Sequence, residues 1–247
     1  MKFVARGDAR WSTERVQQDV DVSPPRRPAS RAASAECRTP RIVDDLEPLE
    51  LDGLVDHDGW SEVAVTGSAV AADAQHVSFA RSTITGVRLT GAQLHRLELT
   101  DVVLTNCDLA GAVLEELSLD RVAFVGCRLT DVDLGRARLA DVSFTDCQLD
   151  RASLRMVRAE RLAVRGGTAI ALDLYQAWCN GSRWHDVDLT GADLSGAHLE
   201  RARLQGSTIA DVRGGKALAG SVIDHEQVYA VGLALIADAA ITVDESR

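Results

Sequence analysis

From Phe79 to Ile209 an apolar residue recurs at every fifth position without a gap. Bulky aliphatics dominate, as at Ile84, Leu89, Leu94, Leu99, Leu104 and Leu109. Two residues ahead of each stands a smaller side chain, such as Val77, Val87, Ala92, Val102, Cys107 or Ala112. An α-helix turns about 100° per residue, so a step of five would smear this series around its axis. A straight strand flips sides at each residue, so successive members would alternate faces. A short extended piece followed by a two-residue corner keeps them all inside. Glycine gathers at the corner, two residues past the apolar centre (Gly86, Gly91, Gly111, Gly126, Gly166), where a turn favours a residue without Cβ. No proline follows Pro48, as continuous backbone pairing between coils requires.

A longer period overlies the first. Cys107, Cys127 and Cys147 repeat every twenty residues, as do Val102, Val122 and Val142, and Phe124 and Phe144. Twenty is four fives, which predicts a four-sided coil whose equivalent residues stack about 4.8 Å apart. Leu109 and Leu129 should then lie one beneath the other. The repeat unit Ala192-Asp193-Leu194-Ser195-Gly196, with Val132-Asp133-Leu134 as a variant, resembles the pentapeptide-repeat family over roughly residues 63 to 213. The resemblance implies an all-β, right-handed quadrilateral β-helix, here of about seven coils.

The flanks read differently. Residues 1–45 hold most of the prolines with many Arg and Ser, and are expected as a disordered basic tail. Residues 46–76 are acidic and out of phase with Phe79, which predicts an N-terminal cap and irregular first coil, with Trp60 covering the open end. The β-helix itself spans 77–213. Past Val212 the repeat dissolves, and Asp224-His225-Glu226-Gln227 reads as a capping box opening a helix to about Ala239. Within 214–247 that helix would cap the last coil. Its apolar residues Val228, Val231, Leu235 and Ile236 cover enough of its surface to suggest a homodimer as well.

The 247 residues carry a formal charge of −10, which disfavours direct nucleic-acid binding. Met1-Lys2-Phe3-Val4-Ala5 meets Arg6 too soon for a signal peptide, and no apolar run could span a bilayer, so the cytoplasm is the expected compartment. The stacked cysteines form a line without an inward histidine, which suits small hydrophobes and not a metal centre. No nucleophile elbow, phosphate loop or H-E-x-x-H occurs, and no catalytic residue, metal or cofactor is expected.

Outward charges alternate in sign down columns spaced by twenty: Asp101, Arg121, Asp141, Arg161 in one, Arg96, Glu116, Arg136 in another. Such ladders stabilise adjacent coils. Two zones depart from neutrality. Glu98, Asp101, Glu115, Glu116 and Asp120 form a candidate acidic surface. Arg136, Arg138, Arg155, Arg158, Tyr175, Trp178 and His198 form a candidate interaction patch, with Arg158 expected as a cation over Trp178.

Three functions follow. The first is a non-catalytic scaffold that binds another protein. The second comes from the resemblance: some family members bind DNA gyrase by imitating duplex DNA and protect it from an antibiotic or toxin. The third is binding of an acidic or phosphorylated ligand at the Arg/Trp patch.

Overall fold

The computed structural model describes residues 36–67 and 71–242. Residues 1–35 of the expected tail lie outside the described residues.

The chain winds into a parallel β-solenoid of about seven coils. Its first strands are β1 (Glu47–Glu50), β2 (Gly53–Leu54), β3 (Gly59–Ser61), β4 (Val63–Thr66) and β5 (Ala71–Gln75). Long strands then run along two adjoining sides: β6 (Ser78–Thr85), then, after the short β7 (Gln93–His95), β8 (Glu98–Thr105). The short β9 (Val113–Glu115) precedes β10 (Ser118–Val125), β11 (Arg138–Thr145) and β12 (Arg158–Arg165), and β13 (Arg183–His185) closes the series. The main sheet orders them β1-β4-β6-β8-β10-β11-β12-β13, all parallel where paired, while β2-β5-β7-β9 line a further side. Equivalent residues stack in register, Leu99 on Leu119 on Leu139 and Phe124 on Phe144.

Leu109 and Leu129 are both buried, their neighbours Asp108 and Arg128 are bridged, and Leu109 donates its N–H to the carbonyl of Arg128 at 2.8 Å. The expected stacking holds. The central cluster is almost wholly aliphatic, and each fully buried Leu contributes roughly 1.5–3 kcal/mol. Trp184 fills the slot beneath Val164, donating Nε1–H to Ser182 Oγ at 2.9 Å; the small Ala159 and Ala169 are the neighbouring centres in the coil above.

Every position from Arg81 to Asp211 in steps of five has positive φ, glycine or not. These are the corners. One corner column alternates Asx with glycine, and a Cβ at Gly126, Gly166 or Gly206 would meet the side chain of Asn106, Asp146 or Asp186 respectively. Glycine is required there for space as well as backbone freedom.

The first coil is one residue short: Trp60 pairs with Phe79 and Val65 with Ile84, nineteen positions apart, before Asp73 meets Gln93 at twenty. Trp60 stacks on Phe79 with ring centroids 4.9 Å apart. At the other end the capping box forms between Asp224 and Gln227, and α1 (Val228–Asp238) follows. Gln227 also donates to the carbonyls of Leu204 (2.6 Å) and Ser207 (2.5 Å), tying the cap to the last coil.

The boundary expected at residue 45 moves. Residues 36–42 lie along the corner column of Asp101, Arg121, Asp141 and Arg161 as an extended strap. Arg38 and Arg41 donate backbone N–H groups to Asp141 and Asp101, two coils apart. Three extended residues span about 10 Å, matching two coil spacings of about 4.8 Å each.

Candidate functional site

The outward ladder is real and mostly neutral. Arg121 grips Asp101 through two hydrogen bonds (2.6 and 2.8 Å), and Arg161 grips Asp141 likewise (2.5 and 2.9 Å). Arg96 pairs with Glu116, Arg151 with Asp131, and Arg213 with Asp193, each across adjacent coils. Exposed pairs of this kind contribute about 0.2–1 kcal/mol apiece.

Of the expected acidic surface, Glu98, Glu115, Glu116 and Asp120 lie at the surface, and Asp101 is buried. Asp101 is only 6% exposed, covered by the strap and hydrogen-bonded by Arg121, which holds its carboxyl below the usual range. Glu115 meets His95 at 2.9 Å, Glu116 meets Arg96 at 2.7 Å, and Asp120 meets Arg121 at 2.5 Å. Glu98, Glu115 and Glu116 stay exposed.

The cationic-aromatic patch splits across a corner. On one side Arg155 stands over Tyr175, its Cζ 4.5 Å from the ring centroid, and bonds Asp173 at 2.8 Å. On the other, Arg138, Arg158, Trp178 and His198 follow one another down a single column of four coils. Arg158 is in register above Trp178, but the ring stacked on Trp178 is His198, with centroids 3.7 Å apart. The group on Trp178 is therefore His198 and not Arg158, while Arg155 lies over Tyr175 around the corner. Arg136 lies exposed at the corner one coil above.

Arg138 directly over Arg158 breaks the ladder rule, because like charges in register repel. Neither holds a carboxylate within ion-pair distance among the described residues. Trp178 is 44% exposed, unusual for so large a ring. Two other like-charged registers differ because their members hold partners: Arg183, over Arg203, holds Glu36 of the strap at 3.6 Å, and Asp173 and Asp193 hold Arg155 and Arg213.

Sequence reasoning missed what lies at the foot of the patch. The two columns end at Ser195 and His198, which line an open cleft of about 520 Å³ together with Lys216 and Asp238. Lys216 donates its backbone N–H to Asp238 Oδ2 at 2.9 Å and its Nζ to the carbonyl of Asp238 at 3.2 Å. The winding of the last coil sets Lys216 beneath Ser195, and the fold-back of α1 adds Asp238.

The cap set divides as well. Val231 packs toward the core beside the buried Ala234, Ile236 is half-buried, and Val228 and Leu235 are exposed. Tyr229 (76% exposed) and Leu233 join them on the outer side. Among the described residues no group of three or more side chains is arranged to hold a metal, and no helix is long and apolar enough to cross a membrane.

A family model described as pentapeptide repeat region matches residues 97–174, and one described as pentapeptide repeats (8 copies) matches residues 172–206. Among solved structures the chain is similar to trypsin-treated QnrB1, a plasmid-mediated fluoroquinolone resistance protein. The two are 15% identical over 81% of this chain and 100% of that one, with a TM-score of 0.46. It is also similar to HetL, a pentapeptide repeat protein involved in heterocyst differentiation regulation from the cyanobacterium Nostoc sp. strain PCC 7120. Here identity is 18%, coverage 68% of this chain and 87% of that one, and the TM-score 0.29. No curated protein matches. With five-residue centres, positive-φ corners and two adjoining repeat models in agreement, the chain carries a pentapeptide-repeat region over residues 97–206.

Proposed function

We propose that the protein is a non-catalytic cytoplasmic scaffold that binds another protein through the column of Arg138, Arg158, Trp178 and His198. The observation that carries this reading is Arg138 over Arg158 in register. Two like charges side by side cost stability in the free protein, and a partner's anion relieves that cost. The exposed Trp178 below supplies the aromatic anchor common at binding hot spots.

Gyrase binding by imitation of DNA calls for a free negative stripe. The pairing of Glu116 and Asp120 with arginines and the burial of Asp101 leave that reading with less support. A supercoiling assay with DNA gyrase, with and without this protein, tests it directly. The scaffold reading is tested by cross-linking capture of a partner with the wild type, an Arg138→Glu/Arg158→Glu variant and an Arg128→Glu control on another side. Loss with the double variant alone supports it. Equal capture by all three overturns it.

A further inference from the structure

The corner between the two columns is a corridor of cations and rings walled by carboxylates. Its first rung carries Arg155 and Arg158, its second Tyr175 and Trp178, and its third Ser195 and His198 at the mouth of the cap cleft. Asp173 and Asp193 run down one flank, in register with each other. Glu160 (75% exposed side chain) and Glu200 stand on the other.

We propose that this corridor, closed below by Lys216, binds a short extended acidic peptide segment of a partner protein, in which two carboxylates flank a planar side chain. The inference rests on the docking-face reading above and names what docks. One carboxylate meets Arg158, which has no ion-pair partner among the described residues. The planar side chain lies against Trp178 and the His198 ring stacked on it at 3.7 Å. The second carboxylate enters the cleft, where Lys216 commits its Nζ to one carbonyl and has further ammonium protons to donate. The anion already in the cleft, Asp238, accepts the Lys216 backbone N–H, so it is itself partly satisfied. From Arg158 to His198 is two coil spacings, about 10 Å, and three to four extended residues cover that distance. A nucleic-acid strand fits poorly, because Asp173, Asp193 and Glu160 already hold Arg155, Arg213 and Arg161 and Glu200 stands exposed beside the column, so an unbroken row of phosphates finds few free cations. Discrete carboxylates on a peptide avoid those walls.

The test uses the full chain and three labelled probes followed by fluorescence anisotropy: a peptide with a Glu-Ser-Phe-Ser-Glu core, the same peptide with Gln for Glu, and an eight-nucleotide oligo-dT. The Glu peptide should bind and weaken as salt rises. Arg158→Ala and Trp178→Ala should each weaken it about tenfold or more, the size of a hot-spot contact. Arg158→Lys should recover part of the loss, and Arg128→Ala should change nothing. Equal binding of the Gln peptide, tighter binding of oligo-dT, or equal losses with Arg128→Ala each overturn the assignment. So does an absence of binding at millimolar peptide. If the peptide fails while the Arg138→Glu/Arg158→Glu variant still loses its captured partner, the docking face stands and the acidic-peptide assignment alone falls.

Discussion

The backbone N–H of Arg38 donates to Asp141 Oδ1 at 3.0 Å, joining residues more than a hundred positions apart. Asp141 is 2% exposed, and its carboxylate is also held twice by Arg161. The strap is thus built onto the ion-pair ladder. Arg41 repeats the contact on Asp101, and the Cys37 thiol donates to the carbonyls of Val142 and Arg161.

Removing the Asp141 carboxylate should release the strap. Asp141→Ala leaves Arg161 with only its 3.6 Å contact to Glu160 and the Arg38 N–H unsatisfied, at a cost of about 1–3 kcal/mol. Urea melts should show that loss, and hydrogen exchange at Arg38 should speed up before exchange in the coil interior. Unchanged exchange at Arg38 would mean that Asp141 does not hold the strap.

The same contacts set a pH dependence. The Arg121 guanidinium chiefly lowers the Asp101 carboxyl. Burial pushes Asp141 up, but Arg161 and the Arg38 N–H more than offset it, so it too lies below the usual range. Groups depressed by folding contribute stability that is present above their unfolded value, near 3.9, and lost as pH falls through the folded value. Stability and Arg38 protection should hold from neutral pH to about 4 and fall together below it. Asp141→Asn should flatten that fall.

The corner glycines separate two kinds of strain. Gly166→Ala places a Cβ against Asp146 and also requires an L side chain at φ +63°. Gly191→Ala at φ +70° meets nothing within 4 Å and incurs the backbone cost alone, about 1–2 kcal/mol. Thermal melts should rank Gly166→Ala as the less stable, and an Asp146→Gly background should close the gap. Equal melting temperatures would show that the Asx-on-glycine contact is not limiting.

The five-residue centres were legible because burial repeats with the backbone period: Leu99, Leu119 and Leu139 announce one column each time they recur. The Asp101–Arg121 and Asp141–Arg161 pairs were legible for the same reason, as opposite charges twenty apart. The left-handed corners at Arg136 and Met156 were not, since nothing in those side chains signals positive φ. The strap was hidden because its anchors are backbone N–H groups, which every residue but proline carries. The cleft was hidden because Asp238 meets Lys216 only after α1 folds back. Arg158 does neighbour Trp178, but the competing ring, His198, sits a full coil further on.

The thiols should report folding. Cys107, Cys127 and Cys147 are at most 2% exposed, and burial pushes the Cys179 thiol up to about 12. Cys37 is raised to about 11, first by burial and then by the Asp141 charge. A thiol reagent at pH 8 should find all five cysteines sluggish in the native protein and all reactive in denaturant, since the thiolate is the nucleophile. Asp141→Ala should unmask Cys37 alone. Rapid native labelling of Cys127 would contradict a tightly packed column.

The outer side of α1 leads to the last expectation. Val231 and Ala234 face the coil, and Gly215 lies so close that a Cβ there would come within 2.9 Å of the Ala234 Cβ. The opposite side leaves Val228, Tyr229, Leu233 and Leu235 in contact with water, a contiguous apolar stretch of the kind that marks an interaction site. Self-association through this stretch should appear in sedimentation equilibrium as a concentration-dependent dimer. Tyr229→Glu with Leu233→Glu should make the protein monomeric with its melting temperature nearly unchanged, because neither side chain packs on the coil. Gly215→Val should instead lower the melting temperature by prising the cap away. A wild-type protein that stays monomeric at high micromolar concentration would assign α1 to capping alone.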